Sequence, residues 1–320
     1  MSSQYLFLLL LLGLAAAGYW IFIRSGGSSK KTASFGAFSK DLTQLARGGK
    51  LELFSGREEE IERMMHILMR KTKNNPLLIG QPGVGKTAIV EGFADRIAKG
   101  EVPDGLKNKQ VLALDITSLV SDTKYRGEME SRLRKMLKDL EGMQGRAILF
   151  IDEVHMLDQL GGAEGSLNIA DVLKPVLARG EVQVIGATTW NEYEQTIQKD
   201  QPLDRRFQPV MVDEPSPEEA LAMLKHVRPA YELFHKVKIE DGALEAAVTL
   251  SRERIKNRYL PDKAIDVVDE ASAKVAIEFS RREHGAPLGL VHHAAKLCEN
   301  CVTAKDIEEV VESWVGSKKE

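Results

Sequence analysis

The feature that most constrains this chain is a glycine-rich turn between a short apolar strand and a helical pattern. Residues 77–79 indicate a buried strand, residues 80–87 read Gly-Gln-Pro-Gly-Val-Gly-Lys-Thr, and apolar residues at helical spacing follow. Glycines let the backbone curl and point its N–H groups at phosphate oxygens, and the N-terminus of the next helix adds partial positive charge. The turn therefore predicts a phosphate-binding loop.

Two side chains of this loop carry its expected chemistry. Lys86 is expected to reach the outer phosphates of ATP, and the Thr87 hydroxyl is expected to hold Mg²⁺. A glycine-rich turn that matches by chance is the competing interpretation, but strand, loop and helix occur in the required order. The residues predicted to contact the nucleotide are Gly80, Pro82, Gly83, Val84, Gly85, Lys86, Thr87, Ala88 and Asp152.

A pair of carboxylates follows a second apolar strand, residues 147–151. Asp152 is expected to hold the Mg²⁺ shell, and Glu153 is expected to polarise the attacking water. The alternative is a solvated acidic turn, which the position of the pair downstream of the phosphate loop disfavours. A further strand, residues 182–187, delivers Thr188 and Thr189 at its end.

The order of these patterns predicts the fold class. Strands separated by helices indicate an α/β fold with a largely parallel sheet between helices, in which ligands collect at the carboxyl ends of the strands. From residue 218 onward the signals are mostly helical. We expect a large α/β ATPase domain over 38–214, opening with a short helix at 38–46. A small helical domain is expected over 215–320, with an irregular insert at 284–302.

The N-terminal stretch differs in character from the rest. Residues 5–23 are uncharged and end in aromatic residues, and at about 1.5 Å per residue this run is long enough to cross a bilayer as a helix. Three basic residues follow at 24–31, so the positive-inside bias predicts a single-pass membrane protein with its ATPase module in the cytoplasm. A cleaved signal peptide is the alternative. The transmembrane anchor is placed at 1–24 and a flexible tether at 25–37.

The charge balance argues against one class of partner. The chain has 44 Lys and Arg residues against 47 Asp and Glu residues, a formal net charge of −3, so no basic excess supports nucleic-acid binding. Arg205 and Arg206 form a local cationic pair. They are either a surface charge run or a source of guanidinium groups for the ATP of a neighbouring subunit. Spacing alone leaves the two readings open.

Several stretches together resemble the Clp/Hsp100 family of AAA+ ATPases. Over about residues 38–283 the chain is similar to the first ATPase module of ClpA, ClpB and ClpC. The resemblance implies an ATP-hydrolysing P-loop domain with a helical lid, bound Mg²⁺, a homo-hexameric ring and protein substrates. The stretches are residues 73–76, the phosphate loop, 124–128, 151–155, 173–175, 186–189, 205–208 and 260–266.

The resemblance also assigns roles to individual residues. Lys86 and Thr87 correspond to Walker A, and Asp152 and Glu153 correspond to Walker B. Thr189 takes the place of the sensor-1 residue. Arg205 and Arg206 take the place of arginine fingers, which complete the active site of a neighbouring subunit.

A pore loop is implied at Lys124, Tyr125, Arg126 and Gly127, where the aromatic residue is similar to one that grips a threaded polypeptide. A second pore loop is implied near residues 161–166. Without the resemblance, an aromatic residue between two cations favours a surface anchor or a helix start.

The resemblance stops short of the whole family architecture. We expect no substrate-receiving N-domain, no coiled-coil middle domain and no second ATPase module, and no docking loop for the ClpP peptidase is evident; the tripeptide at 288–290 matches it only superficially. Two functions stay open. The first is unfolding or remodelling of protein substrates through a hexameric pore, and the alternative is a non-threading regulatory or assembly ATPase acting on a membrane protein complex.

One cluster lies outside the resemblance. His292, His293, Cys298 and Cys301 are ligand types that suit tetrahedral Zn²⁺. Their spacing departs from that of zinc fingers, so we favour free thiols in an irregular segment.

Overall fold

The computed structural model describes residues 38–51, 56–116, 118, 126–159, 169–180, 182–283 and 300–316. These residues form an α/β unit followed by a helical unit, and the two are connected through residues 212–216.

The α/β unit is a six-stranded sheet with helices packed against it. Its strands are β1 (Ser39–Asp41), β2 (Asn75–Ile79), β3 (Gln110–Leu114), β4 (Ala147–Ile151), β5 (Gln183–Thr188) and β6 (Phe207–Met211). Its helices are α1 (Leu42–Arg47), α2 (Glu58–Leu68), α3 (Lys86–Lys99), α4 (Arg126–Glu141), α5 (Met156–Gln159), α6 (Ile169–Arg179), α7 (Trp190–Gln195) and α8 (Gln201–Asp204).

The strand order is β1-β3-β4-β5-β2-β6, and every neighbouring pair is parallel except β1 with β3. Strand β2 therefore lies between β5 and β6. The register sets Ile79 beside Thr188 and Met211, so the carboxyl ends of the three strands lie at one edge of the sheet. The predicted α/β fold with a largely parallel sheet is confirmed.

Alternation along β2 divides its side chains between two apolar layers. Leu77 and Ile79 belong to one layer, whereas Leu78 belongs to the other, where Phe93 and Ile148 also lie. All five residues of the strand are buried. A parallel strand covered on both faces requires a continuous apolar run rather than an alternating one, which explains the sequence at 77–79.

The helical unit contains α9 (Pro217–His235), α10 (Asp241–Arg254), α11 (Asp262–Glu283) and α12 (Ala304–Gly316), with two paired strands, β7 (Lys238–Ile239) and β8 (Cys301–Val302). Helix α9 begins with a capping box: the Glu219 N–H donates to Ser216 Oγ, and the Ser216 N–H donates to the Glu219 carboxylate. The four helices share one apolar core. The predicted small helical domain is thus present.

Two local features differ from expectation. Residues 39–41 are a strand rather than the start of a helix, because they pair with β3, and Asp41 then caps α1 by accepting a hydrogen bond from the Gln44 N–H. Residues 301–302 form β8 although they lie in the stretch expected to be irregular, because they pair with β7. The remainder of that stretch, 284–299, lies outside the described residues.

The cysteine cluster also differs from expectation. Cys301 is buried and disulfide-bonded, not a free thiol. A disulfide sulfur offers no thiolate to Zn²⁺, so Cys301 is not a zinc ligand in this form. His292, His293 and Cys298 lie outside the described residues.

The membrane location predicted above is corrected. In the described ranges no helix is both long enough and apolar enough to cross a bilayer. The longest of them, α11, interleaves acidic and basic residues with apolar ones throughout its length. The run at 5–23, on which the prediction depended, lies outside the described residues.

The sheet generates a prediction about a buried amide. Asn75 is 3% exposed; its Nδ2 donates to the Arg206 carbonyl at 3.2 Å, and its Oδ1 accepts from the Val184 N–H at 2.9 Å. Asn75→Ala leaves two backbone groups without these partners, so we expect a loss of about 2–4 kcal/mol in the free energy of unfolding. Urea unfolding of the variant measures it. Asn74→Ala, at a half-exposed neighbour, is the control and should change the free energy by less than about 0.5 kcal/mol.

Candidate active site

The phosphate loop lines a pocket of about 320 Å³ at the carboxyl edge of the sheet. Gly85 has a φ of 98°, a left-handed conformation that glycine adopts freely, and it turns the chain into α3. The first residues of α3, Lys86, Thr87 and Ala88, line the pocket. The N-terminus of a fourteen-residue helix thus lies where an anion gains most from free N–H groups.

Lys86 is buried and lies against the loop that it follows. Its Nζ donates to the carbonyl of Gly80 at 2.9 Å and to that of Gln81 at 3.1 Å. Burial lowers the pKa of Lys86, while the charges of Glu153 and Asp152 act in the opposite direction. The ammonium group is therefore held beside the loop by short hydrogen bonds and by two nearby carboxylates.

A hydroxyl and a carboxylate converge beside Lys86. Thr87 Oγ1 donates to Asp152 Oδ2 at 2.7 Å, which brings the end of β4 to the start of α3. Oxygen ligands of these two types are those that Mg²⁺ prefers in proteins. The geometry of the pair fits a Mg²⁺ site.

Glu153 follows directly, in an unusual backbone conformation. Its φ is 49°, and its N–H donates to Asp152 Oδ1 at 3.0 Å. Burial, together with the neighbouring charge of Asp152, raises the pKa of Glu153. A carboxylate with a raised pKa is a better proton acceptor at neutral pH than an ordinary one.

A small polar cluster lies behind Glu153. His155 is 8% exposed, and its Nδ1 lies 3.4 Å from Glu153 Oε2, 3.1 Å from Glu192 Oε2 and 3.3 Å from Thr188 Oγ1. Burial acts to raise the pKa of Glu192, but hydrogen bonds from Thr189 and the charge of His155 outweigh burial and lower it. Glu192 is therefore the more firmly ionised carboxylate beside His155.

The helical unit forms the opposite wall of the pocket. Met223, Pro261, Asp262 and Ile265 line it. The Asp262 N–H donates to the Gly83 carbonyl at 3.4 Å, and a Cβ on Gly83 would lie 2.7 Å from the Cβ of Asp262. A molecule that fills the pocket therefore contacts both structural units.

Arg57 also lines the pocket. Its Nη2 donates to the carbonyls of Val84 and Asp213, each at 2.8 Å, and its Nη1 pairs with Glu60 at 2.7 Å. Val84 belongs to the phosphate loop and Asp213 to the connection between the units. One guanidinium group thus links the loop to that connection, and within the described residues its buried Nε has no hydrogen-bond partner.

The structure brings most of the predicted nucleotide contacts together. Seven of the loop residues, with Asp152 and Glu153, line the pocket; Gly80 does not line it, but its carbonyl accepts from Lys86, which does. The hydroxyl groups of Thr189 and Thr188 lie in different surroundings. Its hydroxyl caps α7 by accepting from the Glu192 N–H at 3.4 Å, whereas the buried Thr188 hydroxyl lies in the polar cluster.

Arg205 and Arg206 do not lie at this pocket. They are exposed and immediately precede Phe207, which pairs with Asn75 at the amino end of β2. The phosphate loop follows the carboxyl end of β2, which is about 13 Å from Asn75 at about 3.3 Å per residue. The arginines therefore lie near the amino ends of the parallel strands, whereas the phosphate loop of the same subunit lies at their carboxyl ends.

The pore-loop prediction is described only in part. Lys124 and Tyr125 lie outside the described residues, as does the second loop at 161–166, whereas Arg126 and Gly127 are the first residues of α4. Because the aromatic residue itself is not described, the pore-loop role stays a prediction.

Several pocket residues were not singled out as site residues from the sequence. They are Arg57, Glu91, Met223, Pro261, Asp262 and Ile265 in the pocket and His155 and Glu192 behind it. The spacing of Thr189 and Glu192 matches a capping box, and Pro261-Asp262 matches a common helix start, so both are local signals for where α7 and α11 begin. Neither signal revealed what those helix starts would contact.

The fold and site together define a nucleotide-binding ATPase of the P-loop class with a helical lid. Comparison with known proteins agrees. Residues 76–212 match the ATPase family associated with various cellular activities (AAA), and residues 216–306 match the AAA lid domain.

The most similar relatives include two bacterial proteins. ClpC of Staphylococcus aureus strain USA300, an ATP-binding subunit of an ATP-dependent Clp protease, is 52% identical over 250 residues, covering 78% of this chain and 30% of that protein. ClpC of Staphylococcus epidermidis strain ATCC 12228 is 50% identical over 262 residues, covering 82% of this chain and 32% of that protein. The chain therefore spans about a third of the length of these curated relatives.

Solved structures give the same result. The Saccharomyces cerevisiae Hsp104–ADP complex matches with a TM-score of 0.77 at 39% identity, over 88% of this chain and 45% of that one. A closed-state reconstruction of Hsp104 with ATPγS and FITC casein matches with a TM-score of 0.76 at 40% identity and the same coverage. This chain belongs to the AAA+ ATPases of the Clp/Hsp100 group and corresponds to their first ATPase module.

The contact between Gly83 and Asp262 generates a prediction. Gly83→Ala places a methyl group where Asp262 lies, at a φ of 80°, so the lid has to shift, and we expect ATP affinity to fall about tenfold or more. Binding of a fluorescent ATP analogue measures it. Gly100→Ala is the matched control: its φ is 78°, yet nothing lies within 4 Å of the added Cβ. It carries the same backbone strain, and equal losses of affinity in both variants would contradict a specific lid contact.

Proposed function

We propose that this protein couples ATP hydrolysis to the unfolding or remodelling of protein substrates through the pore of a hexameric ring. The observation that carries the proposal is the pocket shared by the phosphate loop, the Asp152–Glu153 pair and the lid. The relatives support a protein substrate: ClpC is a subunit of an ATP-dependent protease, and one Hsp104 structure contains casein.

In this proposal the nucleotide is held by charge and by backbone donors. Lys86 and the N-terminus of α3 bind the phosphates, and Thr87 with Asp152 holds Mg²⁺. When bound, the ion neutralises phosphate charge and orients the reacting group. Glu153 accepts a proton from the attacking water, a role that its raised pKa supports because a general base works best with a pKa near the working pH.

Arg205 and Arg206 act on a neighbouring subunit in this proposal. Their exposure and their place at the opposite sheet edge support an action between subunits, because they are far from their own phosphate loop. A guanidinium group that reaches the transferring phosphate stabilises the charge of the transition state. A ring places the arginine edge of one subunit against the pocket of the next.

The mechanical step is assigned to the loop that ends at α4. Lys124, Tyr125, Arg126 and Gly127 would line the pore, and the aromatic ring would hold the extended polypeptide by contact with its side chains and backbone. The domain division proposed for this activity is an ATPase domain over 38–214 and a lid over 215–320.

Replacement of the proposed base gives a direct test of hydrolysis. Glu153→Gln keeps the size of the side chain but removes its basicity, so we expect ATP turnover to fall about 100-fold or more while ATP still binds. Steady-state phosphate release and nucleotide binding measure the two effects. Glu194→Gln, at an exposed glutamate of α7, is the control for loss of one acidic group. Undiminished turnover in Glu153→Gln would refute the assignment.

Threading is tested on the full chain with a fluorescent tagged protein as substrate. Tyr125→Ala removes the proposed grip, so ATP-dependent loss of substrate fluorescence should slow about tenfold or more, whereas Tyr125→Phe keeps the ring and should retain most of it. Phosphate release measured in parallel separates loss of grip from loss of hydrolysis. Unfolding at the parent rate in Tyr125→Ala would rule out this loop as the gripping element.

A further inference from the structure

Helix α7 has only six residues, yet it lies between two functional groups. It begins where β5 ends, and Thr188 at that end pairs with Ile79 beside the phosphate loop. The chain then continues through α8 to Arg205, the residue that caps α8. Two adjacent residues of α7 contact the two ends of this segment: Glu192 contacts His155 near the phosphate loop, and Tyr193 contacts Asp204 next to Arg205.

Glu192 contacts the catalytic side. Its Oε2 accepts from the Thr189 N–H at 3.0 Å and from the Thr188 hydroxyl at 3.2 Å, and it lies 3.1 Å from His155 Nδ1. These donors hold the carboxylate in one position. Because its pKa is lowered, Glu192 keeps its negative charge as an acceptor for His155 at neutral pH.

His155 lies between two carboxylates that compete for it. An N–H on the Nδ1 atom of an imidazole ring donates to one acceptor at a time. Glu192 Oε2 is at 3.1 Å, the Thr188 hydroxyl at 3.3 Å and Glu153 Oε2 at 3.4 Å, so Glu192 is the nearest of the three acceptors and Glu153 the farthest. A hydrogen bond from His155 would occupy one acceptor site on Glu153 Oε2 and lower the basicity of that carboxylate; as long as His155 donates to Glu192, that site stays available to the attacking water.

Tyr193 contacts the arginine side. Its ring is 7% exposed, and its hydroxyl donates to Asp204 Oδ1 at 2.8 Å. Burial and this hydrogen bond raise the pKa of Tyr193 to about 12, so the phenol stays a donor at neutral pH. Asp204 directly precedes Arg205, and the backbone of Arg206 is held from the other side by Asn75. The hydrogen bond therefore fixes the segment that presents the two arginines.

We propose that α7 serves two active sites at once. Glu192 is a positioning residue for Glu153 of its own subunit, acting through His155, and Tyr193 is a positioning residue for the arginines given to the neighbouring subunit, acting through Asp204. The Tyr193 half rests on the proposed action of Arg205 and Arg206 between subunits. The Glu192 half rests only on Glu153 being the base.

A mixed-oligomer experiment separates the two halves. One parent subunit carries Glu153→Gln, so it donates arginines but does not hydrolyse ATP. The other carries Arg205→Ala and Arg206→Ala together, so it hydrolyses only where a neighbour supplies arginines. Mixed in equal amounts, the two inactive proteins should recover ATP turnover. Tyr193→Phe or Glu192→Gln is then added to one parent at a time, and the recovered turnover is measured as phosphate release.

The two substitutions are expected to act in opposite subunits. Tyr193→Phe should lower the recovered turnover about threefold more when placed in the arginine donor than when placed in the hydrolysing subunit. Glu192→Gln, which keeps an oxygen acceptor for the Thr189 N–H, should show the reverse ratio. As a single species, Glu192→Gln should lower kcat about fivefold and change KM for ATP by less than about twofold. Equal effects in either subunit would overturn the proposal, because a purely structural role of α7 predicts no asymmetry.

Two unfavourable outcomes of this experiment also discriminate between the two halves of the proposal. If the parent mixture recovers no turnover, the action of arginines between subunits is refuted and the Tyr193 half fails with it, whereas the kcat of Glu192→Gln still judges the other half. If Tyr193→Phe lowers the melting temperature or prevents assembly, Asp204→Ala removes the same hydrogen bond at its half-buried acceptor and should give the same asymmetry. Its absence in Asp204→Ala would overturn the Tyr193 half.

Discussion

The pairing of β2 between β5 and β6 is the constraint on which the site depends. The strand is buried throughout, and its parallel register sets the start of the phosphate loop beside the end of β5, while β4 on the far side of β5 delivers Asp152. A slip of one residue would turn Leu77 and Ile79 into the opposite apolar layer and would displace the loop from the carboxylates. The two apolar layers that cover the sheet therefore fix the register of the strands, and the register positions the phosphate loop beside Asp152.

The second determinant is the contact between the two structural units. Asp262 lies against Gly83, and Arg57 connects the carbonyl of Val84 to that of Asp213, which starts the connection to the lid. The phosphate loop is therefore joined to the connection and to the lid by one guanidinium group and by the contact between Gly83 and Asp262. Because residues of both units line the pocket, a nucleotide bound there would contact the loop and the lid together.

Sequence reasoning predicted the parts of the site that are encoded locally. The phosphate loop and the Asp152–Glu153 pair are continuous segments whose spacing alone specifies their chemistry, and the apolar runs before them indicate buried strands. The lid wall, Arg57 and the His155–Glu192 contact depend on pairs far apart in the chain, which no local pattern specifies. Residues 39–41 were misassigned for the same reason, because pairing with β3 overrides their helical pattern.

At Glu153 the proposed catalytic role works against stability. A φ of 49° costs a residue with a Cβ roughly 1 kcal/mol relative to glycine, so glycine at this position would suit the backbone better than the acid does. The residue that best fits this turn therefore has no carboxylate to act as the proposed base. A Glu153→Gly variant would relieve the backbone strain while losing that group, so accumulation of this protein in a cell is no measure of its ability to hydrolyse ATP.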